Sequence, residues 1–173
     1  HTYSNSGLGA MGHLASASFN SRIGVNAVIV TYRGTAPALT DVIGGQTTLM
    51  VAPLGSALQQ IQAGSLRAFA VMSEQRAPQL PSVPTVAEAG FSGLIFVLWY
   101  ALWGPKGMPP DLVTKINAAV RAASKHPELV QKLTALGAEP VTETAAAFAS
   151  FLGAESARSA EIAKLSGIAP SAN

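Results

Sequence analysis

Asn26-Ala27-Val28-Ile29-Val30-Thr31-Tyr32-Arg33-Gly34-Thr35-Ala36-Pro37 is the stretch on which the fold turns. Its part up to Tyr32 is rich in β-branched side chains and reads as a buried strand. Gly34 then permits a tight turn, and Thr35 is placed to cap a helix whose first turn holds Pro37. That helix, carrying Ala38, Leu39, Val42 and Ile43, stops at the Gly44-Gly45 pair. The alternation repeats beyond it. A second strand is expected from Thr47 to Ala52, a helix from Leu54 to Ala63 closed by Gly64, and a third strand over Arg67-Ala68-Phe69-Ala70-Val71-Met72. Upstream, a helix from Ala10 to Ser21 has Leu14, Ala17 and Phe19 among its apolar positions. Strand and helix alternating at this spacing predict right-handed crossovers and an α/β fold with a mostly parallel sheet.

The pattern breaks between Glu74 and Gly93. Pro78, Pro81 and Pro84 stiffen an extended connection, after which Thr85 caps a short helix (Val86, Ala87, Glu88, Ala89) ended by Gly90. Glu88, three residues past Thr85, fits a capping-box acid. An aromatic-rich extended run from Leu94 to Trp103 leads into the turn Gly104-Pro105-Lys106-Gly107-Met108-Pro109-Pro110. Helices follow over Asp111 to Lys125, Pro127 to Leu136 and Ala145 to Leu165, with a short strand expected at Glu139-Pro140-Val141. The composition thus passes from α/β to mainly α near residue 100, and a lobe boundary is expected there.

Composition excludes several classes of protein. With 173 residues, 49% hydrophobic and 12% charged, the chain can bury a core and is not a disordered or low-complexity polymer. Eleven Lys+Arg against nine Asp+Glu give a net charge of +2 with no basic block, which argues against nucleic acid as a partner. Absence of cysteine removes disulfides, thiolate metal sites and cysteine nucleophiles together. Prolines interrupt the longest uncharged stretch, so no membrane span is expected, and the first residues lack the basic start and apolar core of a signal peptide. The three histidines are scattered, no metal site is expected, and no Gly-x-Ser-x-Gly elbow accompanies the serines.

Several motifs fall in one order: Ser6-Gly7-Leu8-Gly9 with His13-Leu14-Ala15, Tyr32-Arg33-Gly34-Thr35-Ala36-Pro37-Ala38-Leu39, Gly45-Gln46, Ala63-Gly64-Ser65-Leu66-Arg67-Ala68, Leu80-Pro81-Ser82-Val83-Pro84-Thr85-Val86-Ala87-Glu88-Ala89-Gly90 and Gly137-Ala138-Glu139-Pro140. The series resembles the periplasmic substrate-binding proteins of the tripartite tricarboxylate transporter family, over essentially the whole chain. The resemblance implies a type II periplasmic-binding-protein-like α/β lobe over residues 2–98. Residues 99–173 would then be a C-terminal strand and helices of an incomplete first lobe. It further implies a non-enzymatic receptor, without cofactor, that binds a small organic acid such as a di- or tricarboxylate and presents it to membrane transporter subunits. The sequence departs from the family pattern at Ala10, Thr31 and Thr48, where Ser, Pro and an acidic residue are usual.

Two segments are suited to an anion on physical grounds alone. Ser6-Gly7-Leu8-Gly9-Ala10 precedes one helix and Gly34-Thr35-Ala36 another, so backbone N–H groups and helix dipoles would face a carboxylate at one edge of the sheet. Ordinary turn and cap chemistry accounts for the same residues and stays open. The resemblance assigns the ligand wall to Ser4, Asn5, Ser6, Gly7, Leu8, Gly9 and Ala10, and to Tyr32, Gly34, Thr35, Ala36 and Pro37. Ser4, Asn5 and Thr35 would add side-chain bonds. His13 reads better as a satisfied structural histidine than as a ligand. Trp99, Tyr100 and Trp103 read equally as a cleft wall or as core against the last helices. Apolar faces on Leu94–Trp103 and around Leu112, Val113, Ile116 and Val120 predict a homodimer, or cover by a separate N-terminal fragment. A small enzyme reusing the lobe, or a binding-deficient remnant acting as an interaction module, are the alternatives.

Overall fold

In the computed structural model, which describes residues 1–165, the chain divides into two compact units. One is His1–Leu98 with the end of the last helix from Ser159; the other is Trp99–Arg158. The expectation for residues 99–173 therefore extends past the described residues at its C-terminal end.

The first unit is built around a strand that the sequence reading missed. β1 (Thr2–Asn5) is the middle of an all-parallel sheet in the order β2-β1-β3, with β2 at Val28–Thr31 and β3 at Leu49–Met50. Thr2 pairs with Val28 and Asn5 with Thr31, while Tyr3 and Ser4 face Leu49 and Met50. α1 (Met11–Ile23) connects β1 to β2, α2 (Thr35–Ile43) connects β2 to β3, and α3 (Leu54–Gln62) follows β3. The fold is thus α/β with parallel strands. The Val28–Thr31 strand, however, is not buried: it lies at the sheet edge and Val28 is 64% exposed, because β1 takes the central place.

Tyr3 of β1 packs on Phe19 of α1, and Phe19 meets Phe91 edge to face at 5.6 Å. A second cluster joins Leu58 of α3 to Leu80 and Val83 of the proline-rich connection, with Ile61, Ala68 and Val71 around it. α1 sits so close to the strand end that a Cβ on Gly12 would lie 2.8 Å from the Val51 carbonyl oxygen. Thr48, at one of the departing positions, accepts a hydrogen bond from the Thr2 amide through Oγ1 at 3.2 Å.

Three expected elements take other forms. Residues Arg67 to Met72 form no named strand; Val71 makes an isolated parallel bridge to Thr85. Its amide donates to the Pro84 carbonyl and its carbonyl accepts from Val86, so the returning proline segment uses these groups. The helix expected at Val86–Ala89 is a single turn in which the Ala89 amide reaches Thr85 O and the Gly90 amide Ala87 O. Glu88 nevertheless completes a capping box: the Thr85 amide donates to Glu88 Oε2 at 2.8 Å and the Glu88 amide to Thr85 Oγ1 at 3.1 Å. Arg76 adds an ion pair at 2.8 Å. Finally, Glu139-Pro140-Val141 is not a strand. Just beyond it, the Thr142 and Glu143 carbonyls are taken by Arg121 and Asn117 side chains.

The second unit consists of α4 (Pro110–Ala123), α5 (Pro127–Ala135) and α6 (Ala145–Leu165) up to Arg158, with the segment from Trp99. Pro110 and Pro127 occupy first-turn positions, where a missing N–H costs nothing. Trp99 packs on Phe148 and Phe151 of α6 and Trp103 on Phe148, with ring centroids 5.6 to 5.9 Å apart, and the two tryptophans lie 6.4 Å from each other. Tyr100, grouped with the tryptophans in the sequence reading, is 85% exposed and outside this cluster.

Candidate functional site

Because β1 and β2 run parallel side by side, their C-terminal ends lie at the same edge of the sheet. Each feeds a loop and then a helix: Ser6–Ala10 before α1, and Tyr32–Gly34 before α2. Open α/β sheets bind ligands at such edges. Backbone bonds tie the loops together, the Tyr32 amide donating to Asn5 O and the Gly34 amide to Ser6 O, both at 3.0 Å.

Gly34, with φ 115°, occupies the N-cap of α2, a backbone shape that favours glycine. Thr35 is therefore the first helical residue rather than the cap, and its side chain makes no cap bond. Ala10 caps α1 likewise without a side-chain bond, having no hydroxyl. At both helix starts the first amides lack intrahelical acceptors. Among the described residues those of Thr35 and Ala36 have no acceptor, and neither has the Leu8 amide in the loop before α1. Of the Ser6–Ala10 backbone amides expected to face a carboxylate, three have acceptors inside the fold. Gly7 N–H donates to Asn5 Oδ1 at 2.8 Å, Gly9 N–H to His13 Nδ1 at 3.0 Å, and Ala10 N–H to Gly7 O at 3.2 Å.

Ser4 and Asn5 differ from the sequence reading in the same way. Both are fully buried. Ser4 Oγ donates to Ala38 O, and Asn5 Nδ2 donates to Thr31 Oγ1 at 3.1 Å. Asn5 supports the loop from beneath through the Gly7 amide and Ser4 is tied to α2, since a buried polar group needs a partner within the fold. Tyr32 donates its hydroxyl to Asp41 Oδ2 at 2.6 Å, and that bond raises the phenol pKa above its ordinary value. Leu8 is 71% exposed, and Ala36 and Pro37 lie on the surface. His13 is buried and satisfied, and burial lowers its pKa. The sequence reading missed Asp41 as the Tyr32 partner and Thr31 as the Asn5 acceptor.

Among the described residues no three His, Asp or Glu side chains gather where a metal could sit, and no helix is long and apolar enough to cross a membrane. An α/β unit with two amide-bearing loops at one sheet edge has the form of a small-ligand-binding domain. Residues 1–168 match the model of the tripartite tricarboxylate transporter family receptors, and the chain belongs to this family.

The UPF0065 protein in the tcbD-tcbE intergenic region of Pseudomonas sp. (strain P51) is 39% identical over 137 residues, 79% of this chain and 41% of that protein. Protein BugT of Bordetella pertussis is 31% identical over 160 residues, 92% of this chain and 49% of that protein. The chain therefore spans less than half the length of these relatives. Among solved structures, R. palustris Rpa4515 with adipate superposes with a TM-score of 0.88 at 35% identity, covering 98% of this chain and 56% of the other. The periplasmic binding protein BugD gives 0.87 at 34% identity, covering 96% and 56%. MatC from Rhodopseudomonas palustris with bound malate gives 0.82 at 28%, covering 93% and 56%. The family expected from the motif series is thus the family found, and it is one of receptors rather than enzymes.

Proposed function

We propose that this chain forms one wall of a periplasmic receptor for a small organic acid, and that the loaded receptor serves a membrane transporter. The observation that carries the reading is the pairing of the two loops at one sheet edge by the Gly34 N–H to Ser6 O bond. The Leu8, Thr35 and Ala36 amides beside that bond are left without acceptors among the described residues. Amides at helix starts stabilise carboxylate oxygens through direct hydrogen bonds and the helix dipole. Adipate and malate, bound in two similar proteins, support a dicarboxylate as the class of ligand. A second copy of the chain, or a separate chain, covering apolar side chains such as Leu102 and Trp103 belongs to the same proposal.

Titration calorimetry with adipate and malate tests the reading, with Thr35→Pro as the informative variant. Proline at the first helical position keeps the helix and deletes one amide donor. Loss of one hydrogen bond to a charged group corresponds to about a tenfold to hundredfold weaker affinity. Binding that is present in the unmodified chain and weakened to that extent supports the proposal. Absence of binding by a cooperatively folded chain, or full affinity in Thr35→Pro, overturns it.

A further inference from the structure

Within the Ser6–Ala10 loop the amides divide by destination. Those of Gly7 and Gly9 donate to buried side chains, Asn5 Oδ1 and His13 Nδ1, whereas the Leu8 amide between them has no acceptor among the described residues. Asn5 also reaches sideways, its Nδ2 donating to Thr31 Oγ1 at 3.1 Å and to Val30 O at 3.5 Å, at the end of β2 where the other loop begins. One buried amide side chain thus fixes the first loop and ties it to the strand that feeds the second. His13, in the first turn of α1, fixes the far side of the same loop as the neutral ring with its proton on Nε2.

We propose that Asn5 and His13 are positioning residues for carboxylate binding: they draw the Gly7 and Gly9 amides inward and so hold the Leu8 amide available beside the first turn of α2. Neither residue touches the ligand. The inference rests on the proposed receptor reading. It explains why two polar side chains are buried beneath a glycine loop whose Gly7 and Gly9 amides they accept. A merely structural role would predict effects on stability only; a positioning role predicts effects on the loop amides and on affinity.

The test combines amide hydrogen exchange by NMR at neutral pH with adipate and malate titrations of the whole chain. Slow exchange at Gly7 and Gly9 with fast exchange at Leu8 is expected in the unmodified protein. His13→Ala should speed Gly9 exchange at least tenfold and weaken adipate by about tenfold, while His13→Gln, which keeps an acceptor, should restore part of both. Thr31→Val changes an exposed position and removes the nearer of the two Asn5 Nδ2 acceptors, leaving Val30 O; it should weaken adipate about threefold with little change in melting temperature. Should His13→Ala fail to fold, the exchange pattern of the unmodified chain and the Thr31→Val affinity still decide. Gly9 exchanging as fast as Leu8, or intact affinity in a folded His13→Ala protein, overturns the positioning role. No binding of either acid with the exchange pattern intact overturns the receptor reading instead, and with it the ligand-directed part of the proposal.

Discussion

Gly12→Ala puts a single methyl group hard against the backbone of the chain leaving β3. In an open helix the change would be favourable, because alanine exceeds glycine in helix propensity by about 1 kcal/mol. Gly12 is not open: the new Cβ would lie 2.8 Å from Val51 O, and the obstructing atom is backbone, which cannot rotate away as a flexible side chain can. Overpacking of this kind costs about 1–3 kcal/mol. Setting the propensity gain against the upper part of that range gives a net destabilisation of about 1–2 kcal/mol, or roughly 2–8 °C in Tm. Gly153, in α6, is the matched control, since a Cβ there meets nothing within 4 Å. Gly153→Ala should stabilise by about 0.5–1 kcal/mol. Chemical denaturation followed by circular dichroism reads both variants. Equal stabilisation by the two substitutions would refute the claim that the start of α1 is pressed against the chain leaving β3.

Burial lowers the His13 pKa below its ordinary 6.5, so the unfolded chain takes up the proton first as pH falls. The stability it contributes is present above about pH 6.5 and is lost progressively below it; melting curves between pH 7.5 and 5 should show the decline, and His13→Gln should flatten that part of the profile. Thr85→Ala removes the hydroxyl that accepts the Glu88 amide and should cost about 1 kcal/mol by urea denaturation. The Arg76 side chain holds the Glu88 carboxyl below its ordinary 4.5, so this pair's contribution persists above that pH and fades as pH falls through the lowered value; a melting series in acid should flatten there in Glu88→Gln. Phe148→Ala removes a half-buried ring that touches both tryptophans and should cost about 2–3 kcal/mol, with a red shift of tryptophan emission reporting the change.

The strand-forming run before Gly34 and the helices on either side were legible because β-branched runs, glycine stops and apolar spacing act locally. β1 was not. Thr2-Tyr3-Ser4-Asn5 looks like a polar leader, yet Ser4 and Asn5 are fully buried in the central strand. Their acceptors and donors, Ala38 O, Thr31 Oγ1 and the Gly7 amide, come from elements that no local pattern brings together. Missing β1 had a second effect: β2 was assigned the buried place that β1 holds. At the site, the loop positions could be read from their glycines and the family motif. Which amides remain free could not, because that depends on the buried acceptors Asn5 and His13. The Thr85–Glu88 capping box was legible even though the helix expected to follow it is only a single turn, since the box needs just two residues three apart.

β2 has a colloidal consequence. One of its sides is bonded to β1, and among the described residues no strand lies along the other. A rim of unpaired N–H and C=O groups is a template on which an extended segment of another molecule can add. Here the rim carries Val28, Ile29, Val30 and Thr31, with no charge before Arg33. Turbidity that grows with protein concentration should originate there.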